Sequence, residues 1–366
     1  MHTRSLLARP EPPRRKPDGD LGQSEDVPAR LLVVRLGSLG DIVHTLPAVG
    51  LLASHNPDIS VHWLTERSWE PLLRCVPWVT KIWVADTHAW RRGRNLPGAI
   101  RLISSLREQG FGLAVDFQGL LKSAVLARLA APRTVRGLSR HRCREPWASL
   151  LYHERIETDG GKRHMVEQHA DLLDPPRCSE PLSPRIPFRE PQTAVTWVEE
   201  ALNRRELSAP VLLNPGGGWI TKRWAPERFG DLARRLIEQW DLPVLFISGP
   251  GEEILVEAAR AKAGRAVPWL CPDLPQLVAL CRRSRLMVAG DTGPLHLAVA
   301  CGKPTVALLG PALPWRTGPF NPRDEVVLHF PPCPHPYTRR CTNHFCMDLS
   351  VDSVMSAVVR RLGLSG

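Results

Sequence analysis

One aspartate in this chain stands where a sheet would hold a general base. The run Arg35-Leu-Gly-Ser-Leu-Gly-Asp-Ile-Val-His-Thr-Leu-Pro-Ala48 follows the apolar stretch Leu31–Val34, passes a glycine-containing turn and reaches Asp41. A carboxylate at the carboxyl end of a strand lies where open α/β sheets keep their ligand crevice. At a helix start the same aspartate serves equally well as an N-cap, and spacing alone leaves both roles open. His44 and Thr45 come one turn later, so they either frame the same place or, for His44, pack as a satisfied polar residue. The dinucleotide fingerprint G-x-G-x-x-G is missing, because Gly37 and Gly40 are three apart and an aspartate follows. That speaks against a nicotinamide-dependent oxidoreductase.

A second strand-turn-helix unit, Leu286-Met-Val-Ala-Gly-Asp-Thr-Gly-Pro-Leu-His296, has the features of an anion cradle. Gly293 permits close approach of a phosphate, Thr292 offers a hydroxyl and an amide, and Pro294 suits the first turn of a helix. A plain turn and cap accounts for the same residues, with His296 one helical turn inside as a buttress of the loop. In Asn214-Pro-Gly-Gly-Gly218 the glycines after a strand let backbone N–H groups crowd an anion, and Lys222 adds a point charge. The alternative is a flexible turn with a surface lysine. In Gly249-Pro-Gly-Glu-Glu253 a carboxylate either accepts from ribose hydroxyls or only stabilises the helix dipole. Cys333, Cys341 and Cys346, with His335 and His344, lack a CxxC pair; a thiol-bearing loop fits them better than zinc. A base in one half and a phosphate cradle in the other make a layout for group transfer.

These groups need two α/β scaffolds. Candidate strands at Leu31–Arg35, Val61–Thr65, Lys81–Val84, Leu113–Phe117 and Thr134–Gly137 alternate with helices over Asp41–Ser54, Ser68–Val76, Pro97–Gln109 and Leu120–Ala130. Strands rich in Val, Leu and Ile between helices predict a parallel sheet buried on both faces. Prolines crowd Pro175–Pro191 and mark the break between domains. A second alternation follows, with strands at Val211–Asn214, Val244–Ser248, Val267–Leu270, Leu286–Ala289 and Thr305–Leu309. Its helices run Pro226–Gln239, Glu252–Ala263, Leu274–Cys281, Pro294–Cys301 and Asp352–Leu362. The expected division is a disordered tail over 1–28, a Rossmann-like domain over 29–180 and a linker over 181–206. A second such domain over 207–348 and a C-terminal helix over 349–366 complete it. Two facing α/β domains would leave a cleft at their strand ends.

With 366 residues, 43% hydrophobic and 23% charged, the chain has the composition of a soluble globular protein. Nine cysteines, an odd number set in apolar or mixed segments, suggest reduced thiols in the cytoplasm. No apolar run approaches the ~20 residues of a membrane span. The net charge of +11 fits an anionic partner, and Arg133, Arg136, Arg140, Arg142 and Arg144 crowd one stretch before Glu145. That stretch is either a solvated surface or a face for phosphates, anionic sugars or lipid headgroups. Nucleic acid is not expected, since no zinc-finger, RNA-binding or helix-turn-helix pattern occurs.

Taken together, the motifs resemble glycosyltransferase family 9, the bacterial lipopolysaccharide heptosyltransferases. The resemblance rests on Gly37–Pro47, Asp116-Phe-Gln-Gly-Leu-Leu-Lys-Ser123, Arg144-Glu-Pro-Trp-Ala-Ser-Leu-Leu-Tyr152, Lys222-Arg-Trp224 and Asp291–His296. The Arg-Glu-Pro segment is most similar to the heptosyltransferase I branch. The resemblance implies a GT-B fold, α/β, with two facing Rossmann-like domains, parallel sheets and an interdomain cleft. It implies an inverting, metal-independent transfer of heptose from ADP-heptose to the Kdo/lipid A inner core, with no cofactor. Asp41 would be the general base. Ser38, Gly217, Gly218, Lys222, Glu252, Asp291, Thr292, Gly293 and His296 would face the donor, and His44, Lys122, Arg144 and His164 the acceptor. The lipid-linked acceptor implies peripheral contact with the cytoplasmic face of the inner membrane. Alternatives are another nucleotide sugar, a later core acceptor, or a non-catalytic nucleotide-binding module. The cysteine loop and a Gly216–Gly218 turn without threonines depart from the heptosyltransferase I pattern.

Overall fold

The computed structural model describes residues 29–158, 162–173, 182–264, 266–330, 333–339, 341 and 345–364. The expected tail over 1–28, Pro175, Pro176 and Pro181 of the proline run, and His344 lie outside the described residues. The chain forms two compact units: one takes in the residues up to Ser38 and Thr45–Leu182, the other Leu39–His44 and Ser183–Gly366.

The first unit begins with β1 (Arg30–Val34), α1 (Leu39–His55), β2 (Ser60–Glu66), α2 (Glu70–Arg74), β3 (Val79–Ala85), α3 (Thr87–Arg91) and α4 (Leu96–Arg107). It continues through β4 (Leu113–Asp116), α5 (Leu121–Leu129), β5 (Thr134–Leu138), β6 (Glu154–Ile156) and α6 (Met165–Leu173). Leu39–His44, the first turns of α1, belong to the second unit. The strands pair in the order β3-β2-β1-β4-β5-β6, every pair parallel. Leu31–Val34 are fully buried, as a strand covered on both faces requires. The topological switch point falls between β1 and β4, where Val34 lies opposite Asp116. Both strands release their loops there: Arg35–Ser38 from β1 and Phe117–Leu120 from β4.

The second unit contains α7 (Gln192–Asn203), β7 (Val211–Asn214), α8 (Pro226–Trp240), β8 (Val244–Ile247), α9 (Glu253–Ala263), β9 (Trp269–Leu270) and α10 (Leu274–Arg283). After these come β10 (Leu286–Gly290), α11 (Gly293–Ala300), β11 (Thr305–Leu309), α12 (Pro314–Thr317), β12 (Glu325–Leu328) and α13 (Val351–Leu362). Its sheet is also parallel, in the order β12-β11-β10-β7-β8-β9. The switch point here is between β7 and β10, with Ala289 opposite Asn214. The triple-glycine turn and the Asp291–Gly293 turn therefore leave adjacent strands side by side.

The structure adds elements that periodicity did not predict. β6 is three residues long and reads Glu-Arg-Ile, too short for an alternation to register. β12 sits at the other sheet's edge. Residues 192–203, inside the expected linker span, fold as α7, burying Ala194, Val198, Ala201 and Leu202. The expected helix over Ser68–Val76 breaks into a 3₁₀ turn, Arg67–Trp69, and the short α2. Pro71 lacks an N–H and so sits at the start of α2, not in its interior.

Candidate active site

The strongest polar constellation lies in the second unit, at the carboxyl end of β10. Asp291 is buried there and uses both carboxylate oxygens. Lys222 Nζ donates to Oδ2 at 2.6 Å, and His296 Nε2 lies 2.9 Å from Oδ1. The Thr317 hydroxyl adds a longer contact of 3.4 Å to Oδ2. Burial alone would push the Asp291 carboxyl up. The hydrogen bond and charge of His296, then those of Lys222, outweigh burial and hold it at about 2.

An ionised Asp291 can only accept, so His296 Nε2 must carry a proton. Its other ring nitrogen, Nδ1, lies 3.2 Å from His44 Nε2, with the ring centroids 4.2 Å apart. With His296 neutral, Nδ1 accepts and His44 Nε2 donates; with His296 protonated, the roles reverse. Lys222, Asp291, His296 and His44 thus form one continuous hydrogen-bonded line. Asp41 lies one turn before His44 in the first turn of α1. An i, i+3 spacing puts the two side chains on one helix face.

Glycines make the close packing around this line feasible. A Cβ on Gly293 would come within 2.5 Å of Leu39 Cδ2, and one on Gly40 within 2.9 Å of His296 Cδ2. A Cβ on Gly290 would meet the Lys222 carbonyl oxygen at 2.6 Å. The first turn of α11, starting at Gly293, leaves N–H groups without intrahelical acceptors, as every helix start does. The Thr292 side chain does not cap it; it receives instead a 3.4 Å contact from Asn214 Nδ2.

The glycine turn after β7 is held from behind. Gly217 N–H donates to Glu252 Oε1 at 2.7 Å and Gly249 N–H to Oε2 at 2.9 Å. Glu252 therefore ties two phosphate-type loops together, and its remaining lone pairs stay open to a ligand hydroxyl. The Gly217 carbonyl accepts from Arg223 Nε at 2.7 Å. Gly218 is exposed, with open space where a Cβ would point. Trp219 was not singled out from the sequence, yet its ring lies under Lys222 Nζ at 4.5 Å and under the Arg339 guanidinium at 4.7 Å. An aromatic three residues before a cradle lysine was the available clue.

In the first unit the expected acceptor residues have different surroundings. Lys122 donates to the Thr87 hydroxyl at 3.2 Å and lies 3.7 Å from Glu66. Arg144 is exposed. His164 is almost fully buried, and its Nδ1 accepts from the Val166 amide at the start of α6. Ser38 is exposed at the turn before α1.

The two family-like segments of this unit meet at one buried carboxylate. Asp116 accepts from Gln118 N at 2.8 Å, from the Ser123 hydroxyl at 2.8 Å and from the Tyr152 hydroxyl at 2.7 Å. Burial raises its pKa, against those three hydrogen bonds. Gly137 gives the tyrosine its room, since a Cβ there would lie 2.3 Å from the ring. Asp116 thus shapes the loop that carries Lys122.

Cys333, Cys341 and Cys346 line a cavity of about 130 Å³ with Thr221, Pro311 and His335. Burial first, then the neighbouring Cys333 and Cys341, push the Cys346 thiol up to about 11. All cysteines among the described residues are free thiols. Among the described residues no group of three or more His, Cys, Asp or Glu side chains converges on a metal position.

Solved structures of similar fold cover nearly the whole chain. The Escherichia coli heptosyltransferase WaaC solved with ADP superposes with a TM-score of 0.72 at 22% identity, over 91% of this chain and 99% of that one. A glycosyl transferase family 9 structure from Veillonella parvula gives 0.76 at 18% identity, over 92% and 97%. The fold is GT-B, α/β with two parallel six-stranded sheets. In sequence, the lipopolysaccharide heptosyltransferase 1 of Pseudomonas aeruginosa is 32% identical over 330 residues, 86% of this chain and 87% of that protein. The family model of glycosyltransferase family 9 (heptosyltransferase) matches residues 99–345. The chain belongs to this family and is a glycosyltransferase. No helix among the described residues is long and apolar enough to cross a membrane.

Proposed function

We propose that this enzyme transfers heptose from ADP-heptose to the Kdo/lipid A inner core of lipopolysaccharide by direct displacement, with inversion and Asp41 as general base. The observation that carries the assignment is the line Lys222–Asp291–His296–His44 with Asp41 one helical turn upstream. In this account the donor diphosphate lies at the start of α11, against Lys222 and the amides near Thr292 and Gly293. Gly217 and Gly218 let their backbone approach it, and Ser38 lies at its edge. Glu252 accepts from the ribose hydroxyls with the lone pairs its two amide bonds leave unused. Asp291 keeps Lys222 oriented and charged, and His296 fixes the imidazole of His44 beside the acceptor hydroxyl.

As the acceptor oxygen attacks the anomeric carbon, Asp41 takes its proton and the bond to the diphosphate breaks. Negative charge grows on the leaving diphosphate, where Lys222 and the amide dipoles stabilise it. These groups neutralise the leaving group themselves, so the mechanism assigns no metal ion a role. Lys122, Arg144 and His164 are proposed on the acceptor side. For His164 the role is indirect, since its Nδ1 is engaged at the start of α6. Residues 29–180 would bind the acceptor and 207–348 the donor.

The relatives agree with the donor class: the Escherichia coli heptosyltransferase WaaC structure carries ADP, and another similar structure is that of the Escherichia coli ADP-heptose lps heptosyltransferase II. Incubation with ADP-heptose and Kdo-lipid A, read by mass spectrometry, tests the assignment. A product heavier by one heptose supports it. Unchanged acceptor with the full enzyme, or transfer only from a different nucleotide sugar, overturns it.

A further inference from the structure

We infer that Arg316 and Arg339 complete the donor subsite as cations for the nucleotide-sugar diphosphate, with the cysteine-bearing loop as the arm that positions them. This deepens the transferase assignment and rests on its placing of the diphosphate beside Lys222.

Without them the positive charge at that place falls short. A nucleotide-sugar diphosphate carries a negative charge on each phosphate and gains another as the sugar leaves. Lys222 does not balance this, because an ionised Asp291 lies 2.6 Å from its Nζ and neutralises it. The amides at the start of α11 add the equivalent of only about half a positive charge.

Two guanidiniums stand close by. Arg339 lies over the Trp219 ring with Cζ 4.7 Å from its centroid, and the same ring carries Lys222 Nζ at 4.5 Å. Two cations sharing one ring repel each other, and an anion bound between them turns that repulsion into attraction. Arg316, in α12, lies over the Tyr337 ring at 5.1 Å. The Tyr337 hydroxyl is 3.5 Å from that of Thr317, which in turn is 3.4 Å from Asp291 Oδ2. Among the described residues neither arginine pairs with a carboxylate. A guanidinium laid on an aromatic ring keeps its in-plane N–H fork for an acceptor at its edge, and that fork matches phosphate oxygens.

The loop is built to hold this position. Tyr337 N–H donates to the Pro311 carbonyl at 2.9 Å, and the Thr338 carbonyl accepts from the Thr221 hydroxyl at 2.9 Å, one residue before Lys222. The Leu313 amide donates to the Tyr337 hydroxyl at 3.4 Å. Residues 337 and 338 are thereby stitched to the turn after β7 and to the one after β11. Tyr337 has a φ of 60°, a conformation that a bulky side chain keeps only where its surroundings hold it. Behind the tip, Cys333 and Phe345 pack against the core of the second unit and Cys346 is buried in it. The thiols anchor the arm, and the arm ends in a cation.

The test is calorimetric titration of the full chain with ADP and, separately, with AMP. Arg339→Gln should weaken ADP binding about tenfold and Arg316→Gln about fivefold. AMP lacks the second phosphate, so its affinity should fall less than about twofold in either variant. Arg339→Lys should recover part of the ADP affinity, because it restores the charge without the fork. A residue that only props the loop would show no such rescue. Trp219→Leu combined with Arg339→Gln should cost less than the two single losses multiplied, because the ring acts through the guanidinium. Arg339 is exposed and Arg316 half-buried, so both glutamine variants should fold, which far-ultraviolet circular dichroism checks. Lys222→Ala separates this inference from the assignment beneath it. Weakened ADP binding in that variant, with wild-type affinity in both arginine variants, would overturn the inference alone. Equal losses for ADP and AMP would do the same, since they would move the arginines away from the diphosphate. Unchanged binding in Lys222→Ala, or none in the wild type, would remove the donor site and the inference with it.

Discussion

Replacing Asp291 with asparagine tests the physical basis of the candidate site without any substrate. The carboxylate is buried and faces Lys222 at 2.6 Å and His296 at 2.9 Å. Burial opposes ionisation, yet those partners lower its pKa from 3.8 to about 2. A folded-state pKa below the unfolded value means stabilisation that is complete well above pH 4 and is lost as pH falls towards 2. The depression corresponds to roughly 2 kcal/mol at pH 7. The replacement amide carries no charge and leaves Lys222 without its counter-ion, so the total loss should reach about 3 kcal/mol. The assay is urea unfolding followed by tryptophan fluorescence at several pH values. The gap between wild type and Asp291→Asn should narrow by about 1 kcal/mol between pH 6 and pH 3, because the wild type alone loses the linked term. A gap that stays constant over that range would show that the carboxylate is not held ionised by these partners. A gap near zero at pH 7 would remove the ion pair from any structural account of the site.

Three further outcomes follow from the same geometry. Asp41→Asn should bind donor almost normally by calorimetry while turnover falls about 10²–10⁴-fold, the usual contribution of a positioned base; near-normal turnover would remove Asp41 from that role. Lys222→Ala should weaken ADP-sugar binding by at least about tenfold, because Asp291 would then face the diphosphate uncompensated; unchanged affinity would place the phosphates elsewhere. Gly137→Ala should destabilise the protein by about 1–3 kcal/mol, since its Cβ would lie 2.3 Å from the Tyr152 ring and force that hydroxyl off Asp116. An unchanged unfolding midpoint would mean the tyrosine loop yields without cost.

The amino-acid sequence by itself determined most strands of both sheets and the location of the polar groups along the chain. Uninterrupted apolar runs such as Leu31–Val34 and Leu286–Ala289 are legible because a strand buried on both faces carries no polar residue. Glycine turns after strands, at Gly37, Gly216 and Gly293, are legible because each combines a strand end with freedom of close approach. The edge strands β6 and β12 and the helix α7 were not. Two strands of three and four residues give too little pattern, and α7 follows a proline run that reads as linker.

Side-chain partnerships belonged to the tertiary structure alone. Asp291 meets Lys222 across 69 positions of sequence, and His44 meets His296 across 252. Asp116 joins Tyr152 only because the loop after β5 folds back over a glycine. Local periodicity records which face of an element is buried, but it carries no term for contacts between distant loops. Strand order brings those loops together: β10 lies beside β7, so two phosphate-type turns far apart in the chain become neighbours.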